Sequence, residues 1–338
     1  MSPDRHAQRM VIAGASSLLG AELKAVLEES RFAGWDLRLV DEDEVAGTLT
    51  DANGEPALIQ GVEEGCFDHA RLVFFSGSRG FVKRNFQAAL DAGAVVIDFT
   101  GEVRTNDHAA IPWFPKLDDY WGTQFPKEAP HFWIISPAGE TAVSLTFGLR
   151  QLGLKRISFV FLRPVSDAGR AGIEELESQT GQLLSFQNIG RQVFDAQVAF
   201  NLLDCYGVAS RQNLDAIRRA VRKEVSECLQ NQGVVLPSVE VLHTPTFYGM
   251  AFSACAELDP GSGDVEGVCR ACQQAGFAIM KEADASPSNV TVAGEAVIQM
   301  GIPRSDPGNC GTWWFWGAAD NIRLPAWNAV KLAEKIAG

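Results

Sequence analysis

Arg9-Met10-Val11-Ile12-Ala13-Gly14-Ala15-Ser16-Ser17-Leu18-Leu19-Gly20 is the stretch on which the fold turns. Its first five residues read as a buried strand, and the run from Leu18 to about Glu29 reads as a helix. Between them lies a turn with glycine at its first and last positions. Such a turn brings backbone amides close to a phosphate at a helix N-terminus. The middle position, usually glycine, is Ser17, which narrows the approach and adds a hydroxyl donor. The cofactor-contact candidates here are Gly14, Ser16, Ser17 and Gly20. A plain βα turn is the competing reading.

Downstream, Asp36-Leu37-Arg38-Leu39-Val40 reads as a second strand, followed by Asp41-Glu42-Asp43-Glu44. An acid about twenty residues after the glycine turn is placed to accept from a ribose 2′-hydroxyl, and it disfavours the extra phosphate of NADP. Asp41 therefore favours NAD, unless the four acids are only a solvated loop. Leu72–Phe75 and Ala94–Asp98 repeat the strand pattern with a helix from Val82 to Ala92 between them. Short apolar strands alternating with helices predict an open parallel sheet, with its ligand at the strands' carboxyl ends. Arg104 is a candidate anion clamp there, and residues 106–130 read as an irregular covering loop.

Ile134-Ile135-Ser136-Pro137-Ala138-Gly139-Glu140-Thr141-Ala142 is a second strand–turn–helix passage. Enzymes often place a nucleophile at the crown of such a turn, but here the crown is Gly139. Beyond Arg156–Leu162 the pattern changes to candidate strands Val239–Thr246, Gly249–Leu258, Val290–Met300 and Thr312–Ala318. These predict an α+β domain with a mostly antiparallel sheet covered on both faces, and a subunit interface is one way to cover the second face. Trp327–Ile336 reads as a closing amphipathic helix.

Composition bounds the function. A net charge of −13 argues against nucleic acid or anionic membrane as the main partner. Seven cysteines form no disulfide framework and suit a reducing cytoplasm. Cys269-Arg270-Ala271-Cys272 has redox or metal spacing, but it lies alone in a helical run and reads as ordinary thiols. The five histidines show no metal spacing.

Taken in order, the Gly14–Gly20 turn, Ala94–Asp98, Ser136-Pro137, Val165-Ser166-Asp167-Ala168-Gly169, Ala199-Phe200-Asn201 and Ala319-Asp320-Asn321-Ile322-Arg323 before Asn328-Ala329-Val330 resemble the aspartate-semialdehyde dehydrogenase family. The resemblance implies a Rossmann-type NAD(P)-binding domain over residues 1–135, completed by the helix 325–338. It implies a catalytic-like dimerisation domain over 136–324. The family reduces an acyl phosphate to an aldehyde through a cysteine thioester, using NADPH, as a homodimer. It further implies Asn321 as a cofactor contact.

The departures cluster at the chemistry. The family's nucleophile turn reads Asn-Pro-Asn-Cys-Ser/Thr, and in that register the cysteine is Gly139. The general-base histidine becomes Met250, and the arginine that holds the substrate carboxylate becomes His243. One active-site glutamine becomes Arg163 and another becomes Lys331. On the helix that supplies a substrate-binding Glu and Lys, Lys223 is retained and Ala220 replaces the acid. No catalytic residue of the family reaction is therefore assigned. Arg104, Lys223 and His243 remain as positions facing a small anionic metabolite, and the pattern resembles the Usg branch of the family. Glu140, Arg163 or Lys331 acting in altered chemistry is the alternative.

Overall fold

The structure is a computed structural model and describes residues 8–52, 54–101, 110–122, 125–261, 263–281 and 285–338. It divides into two compact units, Met1–Ile135 with Pro325–Gly338, and Ser136–Leu324. Among the described residues no helix is long and apolar enough to cross a membrane.

The first unit contains β1 (Arg9–Ala13), α1 (Leu18–Glu28), β2 (Asp36–Asp41), the hairpin β3 (Leu49–Ala52) and β4 (Glu55–Leu58), and β5 (Gln60–Gly61). It continues with β6 (Ala70–Phe75), α2 (Arg79–Asp91), β7 (Val95–Asp98), β8 (Ile111–Trp113), α3 (Leu117–Trp121) and β9 (His131–Ile134). Its seven-stranded sheet runs β5-β2-β1-β6-β7-β9-β8, and every pairing is parallel. The order reverses direction at β1, which places the Gly14 turn at the crevice where α/β sheets bind ligands. Alternation of two sends Met10 and Ile12 to one apolar core and Val11 and Ala13 to the other. Leu72 and Phe74 of β6 divide from Val73 and Phe75 in the same way. A sheet buried on both faces explains why these strands read as continuous apolar runs.

The stretch expected to be an irregular loop contains β8 and α3. Three residues with a central proline give no readable period, and proline is tolerated because β8 is the sheet's edge.

The second unit contains α4 (Pro137–Leu149), β10 (Arg156–Arg163), α5 (Arg170–Leu184), α6 (Leu214–Leu229), β11 (Ser238–His243), β12 (Met250–Glu257) and α7 (Val265–Gln274). It ends with β13 (Phe277–Ile279), β14 (Ile298–Met300), β15 (Arg304–Ser305) and β16 (Thr312–Ala319), after which α8 (Arg323–Ala337) lies almost wholly in the first unit. The main sheet path is β11-β10-β12-β16-β14-β13, with β15 on β16. It is mixed: β10–β11 and β13–β14 are parallel and the other pairings antiparallel. The expected strand Val290–Met300 is reduced to β14, because residues 290–294 turn back over the sheet with Val292 buried against Ala251 and Ala318.

One face of this sheet carries Phe159, Phe161, Val241, Phe252 and Phe315, all buried. Helix α4 is buried nearly all round, as a helix inside a layer must be. The opposite face alternates to Ser158, Val160, Ser253, Cys255, Trp314 and Trp316, which are exposed or half-buried.

Candidate functional site

In the first unit, the glycine turn closes on itself. Gly14 has φ +98°, and a Cβ there would lie 2.1 Å from the Gly77 nitrogen, so only glycine fits. A Cβ on Gly20 would lie 2.4 Å from the Gly14 carbonyl oxygen, which explains the close packing of α1 on β1. Ser17 is the N-cap of α1: its Oγ accepts from Gly20 N at 2.9 Å and keeps its own proton to donate. The first-turn amides of Leu18 and Leu19 have no intrahelical acceptor. With the Ser17 hydroxyl they make a donor set that fits a pyrophosphate.

Asp41 is only 5% exposed, and both its oxygens are engaged. One accepts from Ser16 N at 2.7 Å, the other from Glu42 N at 2.8 Å. Asp41 thus ties the end of β2 to the turn after β1.

In the second unit, Ser136 caps α4 as Ser17 caps α1, with Oγ accepting from Gly139 N at 3.1 Å. The same hydroxyl donates to Glu224 of α6. Glu224 is buried, and burial pushes its carboxyl up to about 7, against the opposing hydrogen bonds from Ser136. The sequence reading fell on its neighbour Lys223, which is exposed. The available signal was a charged residue on the apolar face formed by Val221, Val225 and Cys228. Glu140 is also buried in the first turn of α4, where an acid suits the helix dipole.

A polar chain occupies the carboxyl ends of β10 and β11, where Arg163 and His243 are register partners. The buried Arg163 guanidinium lies 3.1 Å from the Asp167 carboxylate and donates to Tyr206 Oη at 3.4 Å and Gln212 Oε1 at 3.3 Å. Tyr206 Oη lies 3.2 Å from His243 Nδ1, while Nε2 has no partner at hydrogen-bonding distance among the described residues. Burial, reinforced by Arg163, pushes the His243 imidazole down to about 4, although the Val198 backbone pulls the other way. His243 is therefore neutral at pH 7.

Asn321 lies in this second unit. It donates to Asp167 Oδ1 at 2.6 Å and Ser166 Oγ at 3.0 Å and accepts from Gly249 N at 2.9 Å, clamping the turns on either side. Met250 opens β12, buried opposite Ala319. Lys331 of α8 pairs with Glu334 at 2.8 Å and lies over the Trp327 ring. Arg104 lies outside the described residues. Burial raises both helical thiols, Cys272 to about 12, so neither is a ready thiolate.

The semialdehyde dehydrogenase NAD-binding domain family matches residues 9–129, and the semialdehyde dehydrogenase dimerisation domain family matches residues 147–324. The chain belongs to the semialdehyde dehydrogenase family. It is 29% identical over 340 residues to the USG-1 protein homolog of Azotobacter vinelandii, covering 96% of each chain. It is 26% identical over 333 residues to aspartate-semialdehyde dehydrogenase 2 of Vibrio cholerae, again covering 96% of each. A solved structure of a probable aspartate-semialdehyde dehydrogenase from Pseudomonas aeruginosa is similar with TM-score 0.85 and 26% identity, over 98% of this chain and 99% of that one. The match to the NAD-binding domain family supports a nicotinamide dinucleotide as cofactor.

Proposed function

We propose that this semialdehyde dehydrogenase family member is a dinucleotide-binding dimer that does not carry out the family's phosphorylating dehydrogenase reaction. The observation that carries this is the Gly139 turn. A strand, a capped turn and a buried helix are built there, and the crown residue has no side chain. In the family register Gly139 stands for the nucleophilic cysteine and Met250 for the general base. Without a thiolate no thioester forms, and a thioether cannot take or give a proton.

The cation has moved as well. The register puts the family's carboxylate-binding arginine at 243 and a glutamine at 163, and these positions are partners on paired strands. In this chain the guanidinium is at 163, already held by Asp167, and the imidazole at 243 is buried and neutral. An anionic metabolite bound in the second unit would therefore meet a different charge pattern from the family substrate, with Lys223 as a cation retained there. The acidic run after β2 supports NAD over NADP. Seven cysteines, none of them in a disulfide, accord with a cytoplasmic location.

The test is phosphate-dependent oxidation of a panel of semialdehydes with NAD and with NADP. No turnover above background is expected, and steady turnover would overturn the proposal. An altered chemistry is the second reading, favoured by the Glu224 carboxyl, which ionises near neutrality beside Ser136. Loss of any turnover in Glu224→Gln would favour it.

A further inference from the structure

In the dinucleotide fold, the acid at the end of the second strand reads the ribose 2′-hydroxyl. By spacing that acid is Asp41, but its carboxylate is buried and holds two backbone amides. The next residue stands differently. Glu42 is 35% exposed, and its side chain reaches from the end of β2 to the start of α2. One oxygen lies 2.5 Å from Arg84 Nη2, and the other accepts from Ser78 Oγ at 3.4 Å. Because β1 lies between β2 and β6, this contact passes across the end of β1, where the Gly14 turn begins.

We infer that Glu42, held by Arg84 and Ser78, is the residue that discriminates between NAD and NADP, while Asp41 locks the turn. The inference rests on the dinucleotide-binding reading above. A Glu42 carboxylate accepts from both hydroxyls of an unmodified ribose and repels a 2′-phosphate. Arg84 keeps it extended across the turn. Ser78 is itself an N-cap, its Oγ accepting from Phe81 N at 3.1 Å, so its hydroxyl proton is aimed outward at Glu42. Neutralising Glu42 frees a guanidinium and a hydroxyl at the same spot, and both suit a phosphate. A single carboxylate therefore separates an NAD site from an NADP site.

The experiment is titration calorimetry of the full chain with NAD and NADP separately, for the wild type and for Glu42→Gln, Glu42→Gln/Arg84→Ala and Asp43→Asn. The wild type is expected to bind NAD more tightly. Glu42→Gln should weaken NAD about tenfold, the loss of one charge-assisted hydrogen bond, and should strengthen NADP. Removing Arg84 as well should abolish the gain for NADP. Asp43→Asn, which changes net charge equally from the next position, should leave the ratio unchanged. An unchanged ratio in Glu42→Gln, or an equal shift in Asp43→Asn, overturns this assignment while dinucleotide binding stands. A wild-type chain that binds neither nucleotide overturns both.

Discussion

Two buried ionisable residues in the second unit respond to pH in opposite directions. Burial raises Glu224 from the usual 4.5 to about 7, so the native state binds its proton more tightly than the unfolded chain does. Its contribution is present below about pH 4.5 and is lost as pH rises through 7, by about 3 kcal/mol. Burial lowers His243 from 6.5 to about 4, so the unfolded chain binds that proton more tightly. Stability from this residue is absent at pH 4 and is gained up to about 6.5, by a similar amount. The two slopes offset each other over most of that range. Glu224→Gln is expected to gain stability as pH rises from 4.5 to 6.5, and His243→Asn to lose it, in denaturant midpoints measured across pH. A Glu224→Gln profile that parallels the wild type would falsify the burial account of that carboxyl. Neither role was legible in the sequence. Glu224 meets Ser136 across 88 residues of chain, and it is the fold's enclosure of His243 that keeps the imidazole neutral into acid pH.

The same serine cap begins α1 and α4, and comparing them isolates what Glu224 adds. Ser17 has φ −65° and ψ 159°, and Ser136 has φ −62° and ψ 155°. Each accepts from the amide three residues on. Ser17→Ala removes a cap and should cost about 1 kcal/mol. Ser136→Ala removes a cap and also strands a buried carboxyl, so it should cost about 2–3 kcal/mol. Equal costs in urea unfolding would mean that the Ser136–Glu224 contact adds nothing. Both turns were readable because glycine and proline punctuate apolar runs, and the parallel sheet followed from alternating strands and helices. Short edge elements were not, since β8 has too few residues to show a period. Asp41 illustrates a further limit. Spacing located an acid at the end of β2, but not that Asp41 is turned onto two backbone amides while Glu42 reaches Arg84.

For the whole molecule, exposed apolar surface is unevenly distributed. Apart from Leu49 and Leu58, every large apolar side chain exposed among the described residues belongs to the second unit. Its mixed sheet has one face under helices and another on which rows run across paired strands. Ser158, Cys255 and Trp314 form one row, and Val160, Ser253 and Trp316 the next. Trp314 is 41% exposed there, with its Nε1 donating to Asp306 at 3.0 Å. Tryptophan half out of water at the centre of a sheet face is the kind of residue that anchors an interface between subunits. A stable dimer needs about 800 Å² from each partner. A second copy packed sheet to sheet would remove these rows from water, in keeping with the dimerisation domain family that spans them. Trp314→Asp should therefore shift the chain from dimer to monomer in sedimentation velocity, with its circular dichroism retained. A similarly charged change at exposed Leu58, in the other unit, should leave the dimer intact. If Trp314→Asp sediments as the wild type does, the dimer uses some other surface of the second unit, such as the exposed side chains Phe186, Phe200 and Leu202.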